Sequence, residues 1–315
     1  VQEPDYSRVI NPTVTHFENR VKALSGAENV FAMNTGMAAI LNTFMVFAEA
    51  GKTIVTSNHL FGNTFALITK TLARFGVKAQ VADLTDTDTL DKIIADDACL
   101  IFAEYITNPQ LELVDIKKLS EVAHKHGLPL IVDTTAVPFT DIDARELGID
   151  VEVLSSTKYI SGGATSLGGL ILDFGTFKEV NQRIRFEFLF NLGTYMTPQV
   201  AYMQTLGLET LNVRYQKQAQ NALDLAKALQ QLPQVKRVNY PGLSLDKPFG
   251  AMLTIDLESE QKCFDFLNSL RLIRRATNLF DNKSLAIHPY STIFVGFTPE
   301  EKKQMDIFDT TIRLS

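Results

Sequence analysis

Lys158 stands in the run Ser155-Ser156-Thr157-Lys158-Tyr159, directly after residues 151–155, a short apolar stretch of strand character. A lysine among hydroxyl residues at the end of a strand is placed to form a Schiff base. Asp133 lies 25 residues earlier and closes the apolar run 128–132. An acid there is costly unless it is exposed, paired or bonded to a cofactor. Asn34-Thr35-Gly36-Met37 precedes a helical run over 38–48. A hydroxyl and a glycine at a helix start can hold a phosphate through free backbone N–H groups and the helix dipole. Asn108-Pro109 closes the loop after the apolar run 99–103. Taken singly, each feature has an ordinary explanation: a solvated lysine, a capping aspartate, an N-cap and an X-Pro turn. Together, a phosphate-holding helix start, a strand-end Asp and a strand-end Lys are what pyridoxal phosphate (PLP) requires. The phosphate anchors the ring, the Asp keeps the pyridine nitrogen protonated, and the Lys carries the aldehyde.

Other chemistries lack their residues. No G-x-x-x-x-G-K-[ST] occurs, and no G-x-G-x-x-G follows a strand; the glycine-rich stretch 161–169 leads into a strand instead of opening a helix. G-x-S-x-G is also absent. His124 and His126 form an H-x-H pair ahead of Gly127, but no Cys or acid has metal-site spacing, so no metal is expected. Cys99 and Cys263 are too few for a disulfide framework, which fits a reducing cytoplasm. With 30 Lys and Arg against 36 Asp and Glu, the net charge of −6 and the lack of a basic block disfavour nucleic-acid binding. No apolar run approaches membrane-spanning length, and residues 1–5 do not resemble a targeting peptide.

The elements that must position these residues are legible as a pattern. Strands are expected at 52–57, 77–82, 99–103, 128–133, 151–155 and 169–173, with helices at 60–75, 87–95 and 115–126 between them. Continuous apolar strands separated by helices predict a parallel sheet covered on both faces, a doubly wound α/β arrangement whose ligands sit at the carboxyl ends of the strands. Beyond residue 177 the pattern changes to a long helix over 206–229, strands at 235–240 and 251–256, and a helix over 260–270, which suggests a smaller α+β unit. Two joins, near 177–181 and at 248–250, are abrupt enough to suggest ordered segments brought together without their connecting pieces.

These residues resemble the Cys/Met-metabolism family of PLP enzymes, of the aspartate-aminotransferase-like fold (fold type I). The resemblance runs over nearly the whole chain. Tyr6-Ser7-Arg8 with Asn11-Pro12-Thr13 is similar to the family's Y-S-R-x-x-N-P-T segment, and Thr35-Gly36-Met37-Ala38-Ala39 to its S-G-M-A-A turn. Thr107-Asn108-Pro109, Val132-Asp133, the Lys158 run and Ile312-Arg313-Leu314-Ser315 match in order. The resemblance implies a large PLP-binding domain over 25–205, a substrate domain over 206–315, and an arm over 1–24 that meets a neighbouring subunit. It implies that Lys158 forms the Schiff base and then shuttles protons, that Asp133 pairs with the pyridinium, and that Asn108 bonds near the ring oxygen or the substrate. Gly36, Met37, Ser155 and Thr157 would hold the phosphate, with Thr135 also in the cofactor site. Tyr6 and Arg8 would reach the neighbour's phosphate, and Arg313 would take the substrate α-carboxylate as a bidentate pair.

The departures from the family pattern narrow the expected activity. Phe61, in Leu60-Phe61-Gly62-Asn63-Thr64, replaces the ring-stacking tyrosine and lacks its phenol. Gly162-Gly163-Ala164-Thr165-Ser166 is closer to the G-H-G-T-T of O-acetylhomoserine sulfhydrylases than to the G-H-S-D-V of cystathionine enzymes and methionine γ-lyase. The family's S-L-G-G loop appears as Asn278-Leu279-Phe280-Asp281, with Asn278 as the substitute carboxylate ligand. The resemblance therefore implies γ-replacement on O-acetyl-L-homoserine by a sulfur nucleophile, arriving as free sulfide or on a carrier protein. It further implies a cytoplasmic homotetramer of two catalytic dimers. Cystathionine γ-synthase, methionine γ-lyase and a catalytically silent binding protein on the same fold are the alternatives.

Overall fold

A computed structural model describes residues 6–315; residues 1–5, the start of the expected arm, lie outside the described residues. Among the described residues the larger sheet has seven strands: β1 (Asn29–Met33), β2 (Thr53–Thr56), β3 (Lys78–Val81), β4 (Ala98–Glu104), β5 (Leu130–Asp133), β6 (Val151–Leu154) and β7 (Gly169–Asp173). Their order is β1-β7-β6-β5-β4-β2-β3. The run from β6 to β3 is parallel, but β7 lies antiparallel to both β1 and β6. The expectation of parallel pairing thus fails at β7, for a physical reason. A parallel crossover needs an element to carry the chain back across the sheet, and residues 155–168 contain no helix to do so.

Alternation along the strands builds two cores, as a pleated strand with both faces covered requires. In β5, Leu130 and Val132 join Phe17, Leu119 and Ala123 on one face, while Ile131 joins Phe44, Ile54 and Phe102 on the other. Phe17 and Val21 belong to the helix Pro12–Ser25, so this part of the expected 1–24 arm is anchored in its own subunit's core. The helix Gly36–Phe47 buries Ala39, Ile40 and Phe44 against the opposite face.

The second sheet holds β8 (Arg237–Asn239), β9 (Leu253–Asp256), β10 (Arg274–Arg275), β11 (Leu285–Ile287) and β12 (Thr311–Leu314), in the order β10-β11-β12-β9-β8. Ala222, Leu223, Ala226 and Leu229 of the helix Leu211–Leu229 and Cys263 and Leu267 of the helix Glu260–Ser269 cover it. At 248–250 the chain is held by buried phenols: Phe249 N–H donates to Tyr240 Oη and Gly250 N–H to Tyr215 Oη, each at 3.0 Å.

Two expected helices are subdivided. Residues 60–75 form a helix at Gly62–Ala66, a π-helical turn at Leu67–Thr71 and a 3₁₀ turn at Leu72–Phe75. The Thr69 hydroxyl donates to the Phe65 carbonyl at 2.8 Å, a back-bond that bends helices. Residues 206–229 break between the helices Pro198–Leu208 and Leu211–Leu229. At the break Arg214 donates to the carbonyls of Gly207 (2.7 Å) and Tyr159 (2.8 Å), tying it to the segment that carries Lys158. His124 pairs with Asp150 at 3.0 Å and His126 with Asp91 at 2.9 Å, so each histidine is tied to a separate acid.

Candidate active site

The carboxyl ends of β4, β5 and β6 open on a cavity of about 1130 Å³. Its walls include Phe61, Asn108, Asp133, Thr135, Thr157, Lys158, Asn278 and Arg313, eight of the residues singled out from sequence. They come from parts of the chain as far apart as the loop after β2 and strand β12. Most stand on loops at the carboxyl ends of the larger sheet's strands, and Asn278 and Arg313 come from the second sheet and its loop.

Asp133 ends β5, and its Oδ1 accepts the Thr135 N–H at 2.8 Å. Burial raises its carboxyl to about 6, with the Thr135 hydrogen bonds opposing that rise. Lys158 follows β6 in a tight turn, its N–H bonded to the Ser155 carbonyl at 3.1 Å. Burial, then the charge of Arg313, lowers its amine to about 8, while Asp281 acts in the opposite direction. Lys158 Nζ donates to Asn278 Oδ1 at 2.7 Å.

Arg313, in β12, is the largest of the fully buried side chains. Its Nη1 donates to Asn108 Oδ1 at 3.0 Å, and its Nη2 to the carbonyls of Thr277 (3.0 Å) and Asn278 (3.2 Å). Its Nε has no hydrogen-bond partner, and no carboxylate pairs with it among the described residues. Burial lowers this guanidinium to about 10. A buried cation held only by neutral oxygens is set to receive an anion, because leaving it unpaired costs several kcal/mol on the order expected for such groups.

Of the expected phosphate residues, Thr157 lines the cavity, while Gly36, Met37 and Ser155 are not among its walls; Gly36 and Ser155 pack together beside Thr135. Thr35 caps the helix Gly36–Phe47 by accepting the Ala38 N–H at 3.0 Å, which leaves the first-turn N–H groups of Gly36 and Met37 without an intrahelical partner. Gly36 packs on Ser155 so closely that a Cβ would stand 2.7 Å from the Ser155 Cβ. Thr135 Oγ1 accepts the Ser155 N–H at 2.8 Å. The Thr157 hydroxyl is used internally, donating to the Gly168 carbonyl at 3.2 Å and accepting the Gly168 N–H at 2.9 Å. Tyr6 and Arg8 are not brought into the cavity. Tyr6 is exposed, the Arg8 guanidinium lies 5.1 Å from its ring centre, and Arg8 Nη1 donates to the Phe190 carbonyl.

Glu104, at the end of β4, is a site residue missed in the sequence. It stands in register beside Asp133 and is buried. Its Oε1 accepts the Phe61 N–H at 2.6 Å and its Oε2 the Asn108 N–H at 3.1 Å, so one carboxyl clamps two walls of the cavity. Burial, then the Asp133 charge, raises it well above the ordinary glutamate value. The strand-end argument that found Asp133 applies equally to Glu104, had the strand been read one residue longer. Glu152 on β6 is also buried, accepts the Thr134 hydroxyl, and is pushed by burial to about 7.

The model of the family described as Cys/Met metabolism PLP-dependent enzyme matches residues 1–315. The chain belongs to that family. It is similar to the solved O-acetylhomoserine sulfhydrylase of Wolinella succinogenes, with 41% identity, a TM-score of 0.85, and coverage of 97% of this chain and 92% of that one. A solved structure from Campylobacter jejuni subsp. jejuni that carries N′-pyridoxyl-lysine-5′-monophosphate matches with a TM-score of 0.93 and 31% identity, over 98% and 84% of the two chains. The L-methionine gamma-lyase of Fusobacterium nucleatum is 34% identical over 98% of this chain and 81% of its own length. The fold is the fold type I architecture of PLP-dependent enzymes, with helices over a mixed sheet. The residues present fit that cofactor: a lysine with a lowered amine, a strand-end carboxylate, a helix start closed by glycine, and an orphaned buried guanidinium share one site.

Proposed function

We propose that this protein is a PLP-dependent O-acetylhomoserine sulfhydrylase. It converts O-acetyl-L-homoserine and a sulfur nucleophile into L-homocysteine and acetate, a methionine-forming route. The single observation that carries the reading is the buried, acid-free guanidinium of Arg313 facing the same cavity as Lys158 and Asp133. It suits an α-carboxylate presented beside a lysine amine. When bound, PLP supplies an electron sink for charge developed on the substrate carbons.

The chain's own residues do the rest in this reading. Lys158 holds the cofactor and then takes and returns protons at its Nζ, a task suited to an amine near 8. Asp133 would hold the ring nitrogen, Phe61 would offer its ring face, and Asn108 would bond the ring oxygen or the substrate. Gly36, Met37, Thr135, Ser155 and Thr157 form the phosphate end, and Asn278 joins Arg313 at the carboxylate. Phe61 has no phenol to move a proton, and Thr165 and Ser166 line the cavity where the cystathionine-type pattern has other residues. The Thr165-Ser166 pair, with the likeness to the Wolinella succinogenes enzyme, favours the sulfhydrylase over a cystathionine γ-synthase or a methionine γ-lyase.

The assembly belongs to the same proposal: a cytoplasmic homotetramer of two catalytic dimers, with residues 1–24 as the arm, 25–205 as the cofactor domain and 206–315 as the substrate domain. Exposed Phe186, Phe190, Leu192, Tyr202, Leu206 and Val213 crowd one stretch of the chain, and Arg8 bonds to the Phe190 carbonyl. Among the described residues no helix is long and apolar enough to cross a membrane.

The test is product analysis with O-acetyl-L-homoserine, with and without sulfide. Sulfide-dependent homocysteine supports the proposal. Ammonia and 2-oxobutyrate without homocysteine would move the activity to a lyase. Lys158→Ala should lose turnover by on the order of a thousandfold or more.

A further inference from the structure

The loop between β10 and β11 brings an acid to the lysine where the family pattern has glycine. Asp281 lines the cavity, and its Oδ2 accepts from Asn278 Nδ2 at 3.2 Å. Asn278 in turn offers Oδ1 to Lys158 Nζ at 2.7 Å. A carboxylate only accepts hydrogen bonds, so it claims the NH₂ end of the amide and leaves the oxygen for the amine. The loop is held in place by further contacts, one of them to the lysine segment. The Phe280 ring stacks on Tyr159 with centres 4.0 Å apart, the Phe280 N–H donates to Ser315 Oγ at 2.8 Å, and Gln218 Nε2 donates to the Asp281 carbonyl at 2.9 Å.

We propose that Asp281 is a positioning residue: it orients the Asn278 amide so that its oxygen receives the amine of Lys158 whenever that amine is free. This rests on the proposal that Lys158 is the proton-carrying amine. The charge of Asp281 also favours the ammonium form of Lys158. Arg313 opposes it, Asp133 and Glu104 face the same cavity, and Lys283 Nζ lies 3.6 Å from Asp281 and tempers its charge.

Competitive labelling of Lys158 by acetic anhydride in the cofactor-free full chain, read by mass spectrometry against pH, tests this without turnover. Asp281→Asn should lower the labelling midpoint by about half to one pH unit, as removal of a nearby opposite charge does. Lys283→Ala, at an exposed position, should move it the other way. In the loaded enzyme the acidic limb of the kcat profile should shift downward with Asp281→Asn, and Asp281→Glu should restore both readouts. A fall in kcat with neither midpoint nor limb displaced would overturn the inference and leave Asp281 a loop strut. Failure of the function proposal looks different, since the wild-type protein would then make no homocysteine while the labelling shift persisted.

Discussion

At the scale of the residue, the site is a chain of hydrogen bonds from Glu104 through Asn108, Arg313 and Asn278 to Lys158. Arg313 sits at its middle, with a geometry that an ammonium cannot copy. Arg313→Lys should lower kcat/KM by about ten- to a hundredfold, the cost of losing hydrogen bonds to a charged group, mainly through KM. Steady-state kinetics check this, and an unchanged KM would remove Arg313 from substrate binding. Lys158 and Asp133 were legible in the sequence because a charged side chain at the end of an apolar strand is rarely idle, whereas Arg313 was marked only by the resemblance of its segment to the family pattern. Asp281 was visible only as a lost glycine, since nothing along the chain shows that it meets Asn278. Tyr6 and Arg8 remain outside the cavity of their own chain.

At the scale of the element, the loop at 277–283 puts Phe280 at φ 56°, the left-handed region in which glycine is at ease. The strain costs about 1–2 kcal/mol. It is offset by burying a ring that is 2% exposed and stacks on Tyr159. Losing such a ring costs about 3–5 kcal/mol, so Phe280→Gly should lower the melting temperature although it relieves the backbone. A rise in thermal unfolding temperature would show that the strain dominates. Six of the seven strands of the larger sheet were expected from the sequence, the buried ones because continuous apolar runs admit few other interpretations; β1 was not among them. The direction of β7 was not, because it depends on what the connecting loop lacks. The break at Glu209-Thr210 escaped notice for a similar reason: the apolar period runs through it, and Arg214 stabilises it from a full turn beyond.

At the scale of the whole molecule, three adjacent strands carry carboxyl groups raised by burial: Glu104 and Asp133 in register on one face, and Glu152, paired with Val132, on the other. Glu152 has its folded value raised from 4.5 to about 7, so the fold binds its proton more tightly than the unfolded chain does. The stability tied to that proton is therefore complete below about 4.5 and is lost as pH rises toward 7. Glu152→Gln keeps an acceptor for Thr134 without the charge. It should match the wild type near pH 4.5 and exceed it at pH 8 by on the order of 3 kcal/mol at most, measured by urea unfolding. A difference independent of pH would mean that Glu152 is not the titrating group. His59 draws distant parts together in another way, lying 3.0 Å from Glu112 and 2.9 Å from Asp306, which precedes β12. The Glu104 clamp has a wider consequence. It grips Phe61 and Asn108 by their backbone N–H groups, which every residue but proline carries, so the Phe61 side chain, which makes no hydrogen bond of its own, can be exchanged without loosening the clamp. Such a wall is open to drift: new substrates can be tried one substitution at a time while the architecture that bears the reaction stays intact.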